Sequence, residues 1–157
     1  MAEFSGATEG RGLRIAIVVA RWNGFITEQL LEGAQRTLAE RGVTGDAVPV
    51  IRVPGSFEVP AAAQWAAASG KVDAVICLGA VIRGETAHFE YVAGAAQQGC
   101  LNVTRDTGVP AVFGVLTVDT TEQALERTGG KEGHKGEESA ATAIEMANLR
   151  RQLAEGL

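Results

Sequence analysis

Aromatic residues are scarce in this chain: Phe, Trp and Tyr together make up 5% of its 157 residues. A core with so few large rings has to be packed from aliphatic side chains. Cysteine is scarcer still. Cys77 and Cys100 lie in an apolar run and a helix-like segment, outside any CxxC motif, so buried thiols in a reducing compartment are expected rather than a disulfide framework. The two histidines, His88 and His134, do not combine with these cysteines at metal-ligand spacing, and no metal site is expected. No apolar run approaches a membrane span, and the polar N-terminus lacks the apolar segment of a signal peptide, which points to a cytoplasmic protein without membrane contact. Acidic residues number 19 against 14 basic ones, a formal charge of −5 with no basic stripe, so nucleic acid is not an expected partner. The Walker and GxGxxG patterns are both missing, and nucleotide phosphates are not specifically indicated.

What is present suffices for one sizeable core, since 46% of the residues are apolar. The first eleven residues read as a flexible tail, followed by a single domain over 12–157. Residues 13–20 form a nearly continuous β-branched run, the pattern of a strand buried on both faces. A loop at 21–25 leads into a helix over 26–41, with Ile26, Leu30, Leu31, Ala34 and Leu38 on one face and Gly42 as its stop. A second strand is predicted over 47–53, and Pro49 places its start at a sheet edge. Pro60 suits the first turn of an Ala-rich helix ending near Gly70. A third strand over 74–78 breaks at Gly79, resumes at Ala80, Val81 and Ile82, and leads into a helix over 87–103. A fourth strand spans 111–118. Thr120 and Gln123 have capping-box spacing for a short helix through Arg127. Residues 129–136 read as a loop before a last helix over 137–154. Strands alternating with helices predict an α/β, three-layer αβα sandwich around a four-stranded parallel sheet, with ligands outside the carboxyl ends of the strands.

The unusual side chains gather in the loops at those ends. Gly84, Glu85 and Thr86 at a helix start can offer backbone N–H groups and a hydroxyl to a phosphate, with Glu85 turned outward and Arg127 or Lys135 supplying countercharge. An ordinary strand–helix turn capped by Thr86 explains the same residues. His88 follows at once, an imidazole suited to proton transfer near neutrality. His134, in a Gly/Lys loop, reads as a solvated residue. Trp22 directly after a strand can stack on a planar heterocycle while Asn23 offers an amide, or Trp22 can serve core or interface packing. Ser56 and Glu58 can hold a polyhydroxy chain, or act as an N-cap and its dipole complement. Arg127 is equally explained by a helix C-terminus and Lys135 by solvation.

Taken in order, three groups of residues carry a resemblance: Arg21, Trp22 and Asn23; Pro54, Gly55, Ser56, Phe57, Glu58, Val59 and Pro60; and residues 78–92, with Arg83, Gly84, Glu85, Thr86, Ala87 and His88. With Phe113 in the run 112–117 and the Gly133-His134-Lys135-Gly136 motif, they make the chain closely similar to the lumazine synthase family over residues 13–153. The resemblance implies a flavodoxin-like fold. It also implies condensation of 5-amino-6-(D-ribitylamino)uracil with 3,4-dihydroxy-2-butanone 4-phosphate to 6,7-dimethyl-8-ribityllumazine, releasing phosphate and water, in riboflavin biosynthesis. No cofactor is implied. Trp22, often Phe in the family, would stack on the pyrimidine. Asn23, Ser56, Phe57 and Glu58 would serve the ring edge and ribityl chain, and Val81 and Ile82 would line the pocket. Gly84, Glu85, Thr86 and Arg127 would hold the phosphate, and His88 would move protons. Phe113, Arg127 and Lys135 resemble residues that come from a neighbouring subunit. The implied assembly is a homo-oligomeric pentamer, with the twelve-pentamer icosahedral shell favoured because residues 129–136 carry no insertion. A catalytically silent flavin- or lumazine-binding protein, or a shell whose active site is incidental, are the rival readings.

Overall fold

The run predicted over 13–20 becomes strand β1, Ile15–Ala20, with every residue buried. In the computed structural model, which describes residues 2–157, β1 occupies the middle of a sheet in the order β2-β1-β3-β4, with all pairs parallel. Strand β2 is Val50–Val53, β3 is Ala74–Ile82 and β4 is Ala111–Val118. Helix α1 (Gly24–Glu40) follows β1, α2 (Val59–Ala68) follows β2, α3 (His88–Thr107) follows β3, and α4 (Thr121–Glu126) follows β4. A small antiparallel ribbon, β5 (Thr128–Gly130) and β6 (Gly133–His134), precedes the long α5, Lys135–Gly156.

Alternation along the strands divides the core in two. Ile15, Ile17 and Val19 point with Ile76 and Leu78 toward α1 and α5, where Ile26, Leu30, Leu38 and Ile144 close the layer. Ala16, Val18 and Ala20 point with Val75 and Cys77 the other way, toward Val59, Ala63, Cys100 and Val103 of α2 and α3. Burying one such aliphatic side chain is worth about 1.5–3 kcal/mol. No aromatic side chain is fully buried in these layers: Phe113 is half-buried against the α2/α3 layer, Phe89 is half-buried and the others are exposed, Trp65 on α2 at 74%.

Several boundaries differ from the sequence reading, each for a physical reason. Gly79 does not interrupt β3. The pairing with β4 runs through it, Gly79 opposite Val115 and onward to Ile82 opposite Val118, so the strand is nine residues long. A glycine is needed there because a Cβ would lie 2.4 Å from the Ser56 hydroxyl oxygen. The second strand starts at Val50, since Gly45–Ala47 form a 3-10 turn, and β2 is an edge strand as Pro49 indicated. Helix α3 continues to Thr107 and stops at Gly108, whose φ of 73° only glycine adopts readily. The capping box at Thr120 and Gln123 forms as its spacing predicts. Residues 129–136 are a hairpin and a helix start rather than a loop. Residues 2–12 carry no helix or strand, and run along α5, where Asn148 Nδ2 donates to the carbonyls of Ala7 and Glu9 and Gln152 Nε2 to that of Ser5. No helix among the described residues is long and apolar enough to cross a membrane.

Candidate active site

At the carboxyl ends of β1, β2 and β3 the connections turn outward and enclose a cavity of about 510 Å³. Trp22, Asn23, Ser56, Phe57, Glu58, Ala80, Val81, Ile82, His88, Tyr91 and Val92 line it. The rim is zipped together by its backbone: the Arg21 and Trp22 N–H groups donate to the carbonyls of Val53 and Pro54 at 2.8 and 2.9 Å. Trp22 is 64% exposed, with one edge of its indole over Gly55, where a Cβ would sit 2.4 Å from the ring. It is a platform laid against backbone, open on its other side.

Asn23 adopts a left-handed conformation with φ 61°, alone among the non-glycine residues described. Asn tolerates that region better than most side chains. Its Nδ2 donates to the Ala80 carbonyl at 2.8 Å, which ties the β1–α1 connection to β3. The amide therefore fixes the platform, and its oxygen is the part left for another partner. In the next connection the N-cap is Gly55 and not Ser56, and the Glu58 carboxylate closes the turn by accepting from the Gly55 N–H at 3.1 Å. Ser56, 7% exposed, turns its hydroxyl into the space that Gly79 leaves. Phe57 is exposed on the rim.

His88 opens α3 and is exposed, with its imidazole on the cavity. Its backbone N–H reaches the Thr86 hydroxyl at 3.4 Å, but the N-cap position of α3 falls to Ala87, without a side-chain cap, and not to Thr86 as the plainer reading held. Gly84, Glu85 and Thr86 form an exposed bend that joins the end of β3 to His88. Arg83 braces this bend from below: Nε donates to Asp119 at 2.8 Å, Nη1 pairs with Glu90, and the guanidinium lies 4.3 Å from the centroid of Phe89. The hydrogen bond from Arg83 lowers the Glu90 carboxyl below its ordinary range, and Asp119 and Glu90 raise the guanidinium further above it.

The remaining residues singled out in the sequence lie elsewhere. Arg127 lines a second cavity of about 390 Å³ with Arg83, Phe89, Thr117, Asp119 and Gln123, and its Nη1 donates to the Gln123 carbonyl at 3.0 Å. Phe113 is half-buried in edge strand β4, packed on the α2/α3 side of the core. Lys135 is half-buried in the first turn of α5. His134, expected in solvent, is instead 9% exposed and caps α5 with its ring, because the gap it fills is shaped by Gly33 of α1, far away in sequence. Ala80, Tyr91 and Val92 belong to the cavity and were not singled out. Tyr91 and Val92 follow His88 by three and four residues, the spacing that puts side chains on one helix face, so their place was readable. Groups of His, Cys, Asp or Glu able to hold a metal ion do not occur among the described residues. The cavity thus offers an aromatic platform, a buried hydroxyl, a carboxylate and an imidazole, beside an open bend of backbone N–H groups. A family model, that of 6,7-dimethyl-8-ribityllumazine synthase, matches residues 12–151.

Proposed function

We propose a reaction and a set of residue roles for this chain from one premise: it belongs to the 6,7-dimethyl-8-ribityllumazine synthase family and is a transferase of riboflavin biosynthesis. The reaction is the condensation of 5-amino-6-(D-ribitylamino)uracil with 3,4-dihydroxy-2-butanone 4-phosphate. The pyrimidine amine attacks the ketone and an imine forms with loss of water. Loss of a proton then expels phosphate, and attack by the ribitylamino nitrogen closes the second ring with loss of water. Both substrates are intrinsically reactive, so orientation and proton transfer account for the acceleration without an enzyme nucleophile.

The observation that carries this reading is the shared cavity of Trp22, Ser56, Phe57, Glu58, Val81, Ile82 and His88. Trp22 stacks on the pyrimidine, while the Asn23 oxygen, the Ser56 hydroxyl and Glu58 meet the ring edge and ribityl chain. His88 takes and returns protons at the condensing atoms. The bend of Gly84, Glu85 and Thr86 receives the phosphate through backbone N–H groups, with the Glu85 carboxylate turned away. Arg127 adds the countercharge, and Phe113 covers the pyrimidine while Lys135 completes the rim. These three do not line the cavity of their own chain, which supports their delivery by a neighbouring subunit. The homo-oligomer that delivers them is a pentamer, with twelve pentamers closing into a 60-subunit shell. The number of exposed aromatic side chains, Trp22, Phe25, Phe57, Trp65 and Tyr91, supports burial by further copies.

Mixing the protein with both substrates and following lumazine absorbance and phosphate release together tests the reaction. Equal amounts of the two products are expected. Phosphate without lumazine, or neither, overturns it, and native mass spectrometry reads the assembly.

A further inference from the structure

The histidine most firmly held by this fold is not the one on the cavity. His134 ends β6 and occupies the N-cap position of α5. Its Nδ1 accepts from the N–H groups of Gly136 and Glu137 at 3.2 and 3.3 Å, two of the donors that a helix start leaves without intrahelical partners. A ring in this role is unusual, because Ser, Thr, Asp and Asn cap through short side chains. The fold makes room for it with glycines. A Cβ at Gly33 would lie 2.0 Å from Cε1 of the imidazole, one at Gly136 3.0 Å from the same atom, and one at Gly129 3.6 Å from Cδ2. The imidazole therefore wedges α1 against the start of α5, where Arg36 of α1 also pairs with Glu137 at 2.7 Å.

The two cations flank this wedge. Arg127 precedes the hairpin and Lys135 follows it, His134 pairs with Thr128 across the ribbon, and the Lys135 N–H donates to the Arg127 carbonyl at 2.8 Å. The backbones of Arg127 and Lys135 are thus fastened to each other, and the ring between them is fastened to α1. We propose that His134 is a positioning residue. It sets the direction in which Arg127 and Lys135 leave the fold, and hence how they meet the phosphate-bearing substrate in the neighbouring subunit's cavity. This rests on the roles proposed above for Arg127 and Lys135.

The test is steady-state kinetics of the assembled full-length protein, with each substrate varied in turn. His134→Ala is expected to raise KM for the butanone phosphate about tenfold while KM for the pyrimidine moves less than about twofold. His134→Asn, whose amide oxygen can cap the helix again, is expected to recover most of that loss. In an Arg127→Ala background, His134→Ala is expected to add little, since both act on one contact. If His134→Ala does not fold, His134→Leu fills the space against Gly33 without a capping acceptor and is read in the same way. A butanone phosphate KM raised by Arg127→Ala but not by the His134 variants, or raised equally with that of the pyrimidine, overturns the positioning role alone. A KM unchanged in Arg127→Ala overturns the role of Arg127 and this proposal with it.

Discussion

His88 and His134 each stand at the start of a long helix, and the fold uses them in opposite ways. His134 has its ring enclosed by glycines and its Nδ1 engaged by two backbone donors. His88 supports its helix only through its own backbone N–H, held by Thr86, and leaves its imidazole exposed on a cavity. A side chain committed to the fold cannot also follow a proton through a reaction, whereas one that the fold does not need is free to do so. Histidine count or neighbourhood in sequence does not separate the two; the presence of a fitted gap does.

The largest effect that sharpens this contrast is on turnover. His88→Ala is expected to lower kcat by about a hundredfold, at the low end of general acid–base contributions, with thermal stability unchanged. A loss of stability, or an unchanged rate, would break the comparison. Next comes Trp22→Ala, expected to weaken pyrimidine binding about tenfold through lost stacking area, which titration of the pyrimidine alone will read. An unchanged affinity returns Trp22 to packing. A mixing experiment then asks where Arg127 acts. Co-assembled His88→Ala and Arg127→Ala subunits are expected to regain activity at about a quarter of their sites if the arginine crosses a cyclic interface, and at none if it acts within its own chain. The smallest effect expected is none at all. The Cys100 sulfur and burial push the Cys77 thiol well up while the Cys77 sulfur lowers that of Cys100, but both thiols are buried, so a thiol reagent near neutral pH should leave the native protein unmodified and label it only on unfolding. Labelling of the folded protein would mean that the α2/α3 layer opens readily.

Much of the scaffold was legible because it follows from local pattern. Strand β4 has the span its apolar run predicts, the Thr120–Gln123 cap forms as spaced, and the buried face of α1 is the one its periodicity marks. The misreadings concern residues whose reason lies far away in the chain. Gly79 looks like a break in an apolar run, yet it serves the Ser56 hydroxyl arriving from the β2–α2 connection. His134 sits among Gly and Lys, a solvated composition, and is buried because of Gly33. At the cavity, Trp22, Ser56, Glu58 and His88 were readable as odd side chains at strand ends. Arg127 and Lys135 were readable only as candidate countercharge and Phe113 only through the family resemblance, and none of the three lines that cavity within one chain.

The absence of tryptophan from both core layers also determines what light can report. With Trp22 at 64% and Trp65 at 74% exposure, neither indole sits in the interior that melts on unfolding. Intrinsic fluorescence of this protein should therefore be nearly blind to the packing of the sheet and its helices. It should respond instead to whatever covers the surface: quenching of Trp22 when a heterocycle stacks on it, and a spectral shift of Trp65 if another molecule comes to lie against α2. Replacing Trp65 with Phe would leave a single emitter at the rim of the cavity, an optical probe of occupancy that the fold supplies without a label.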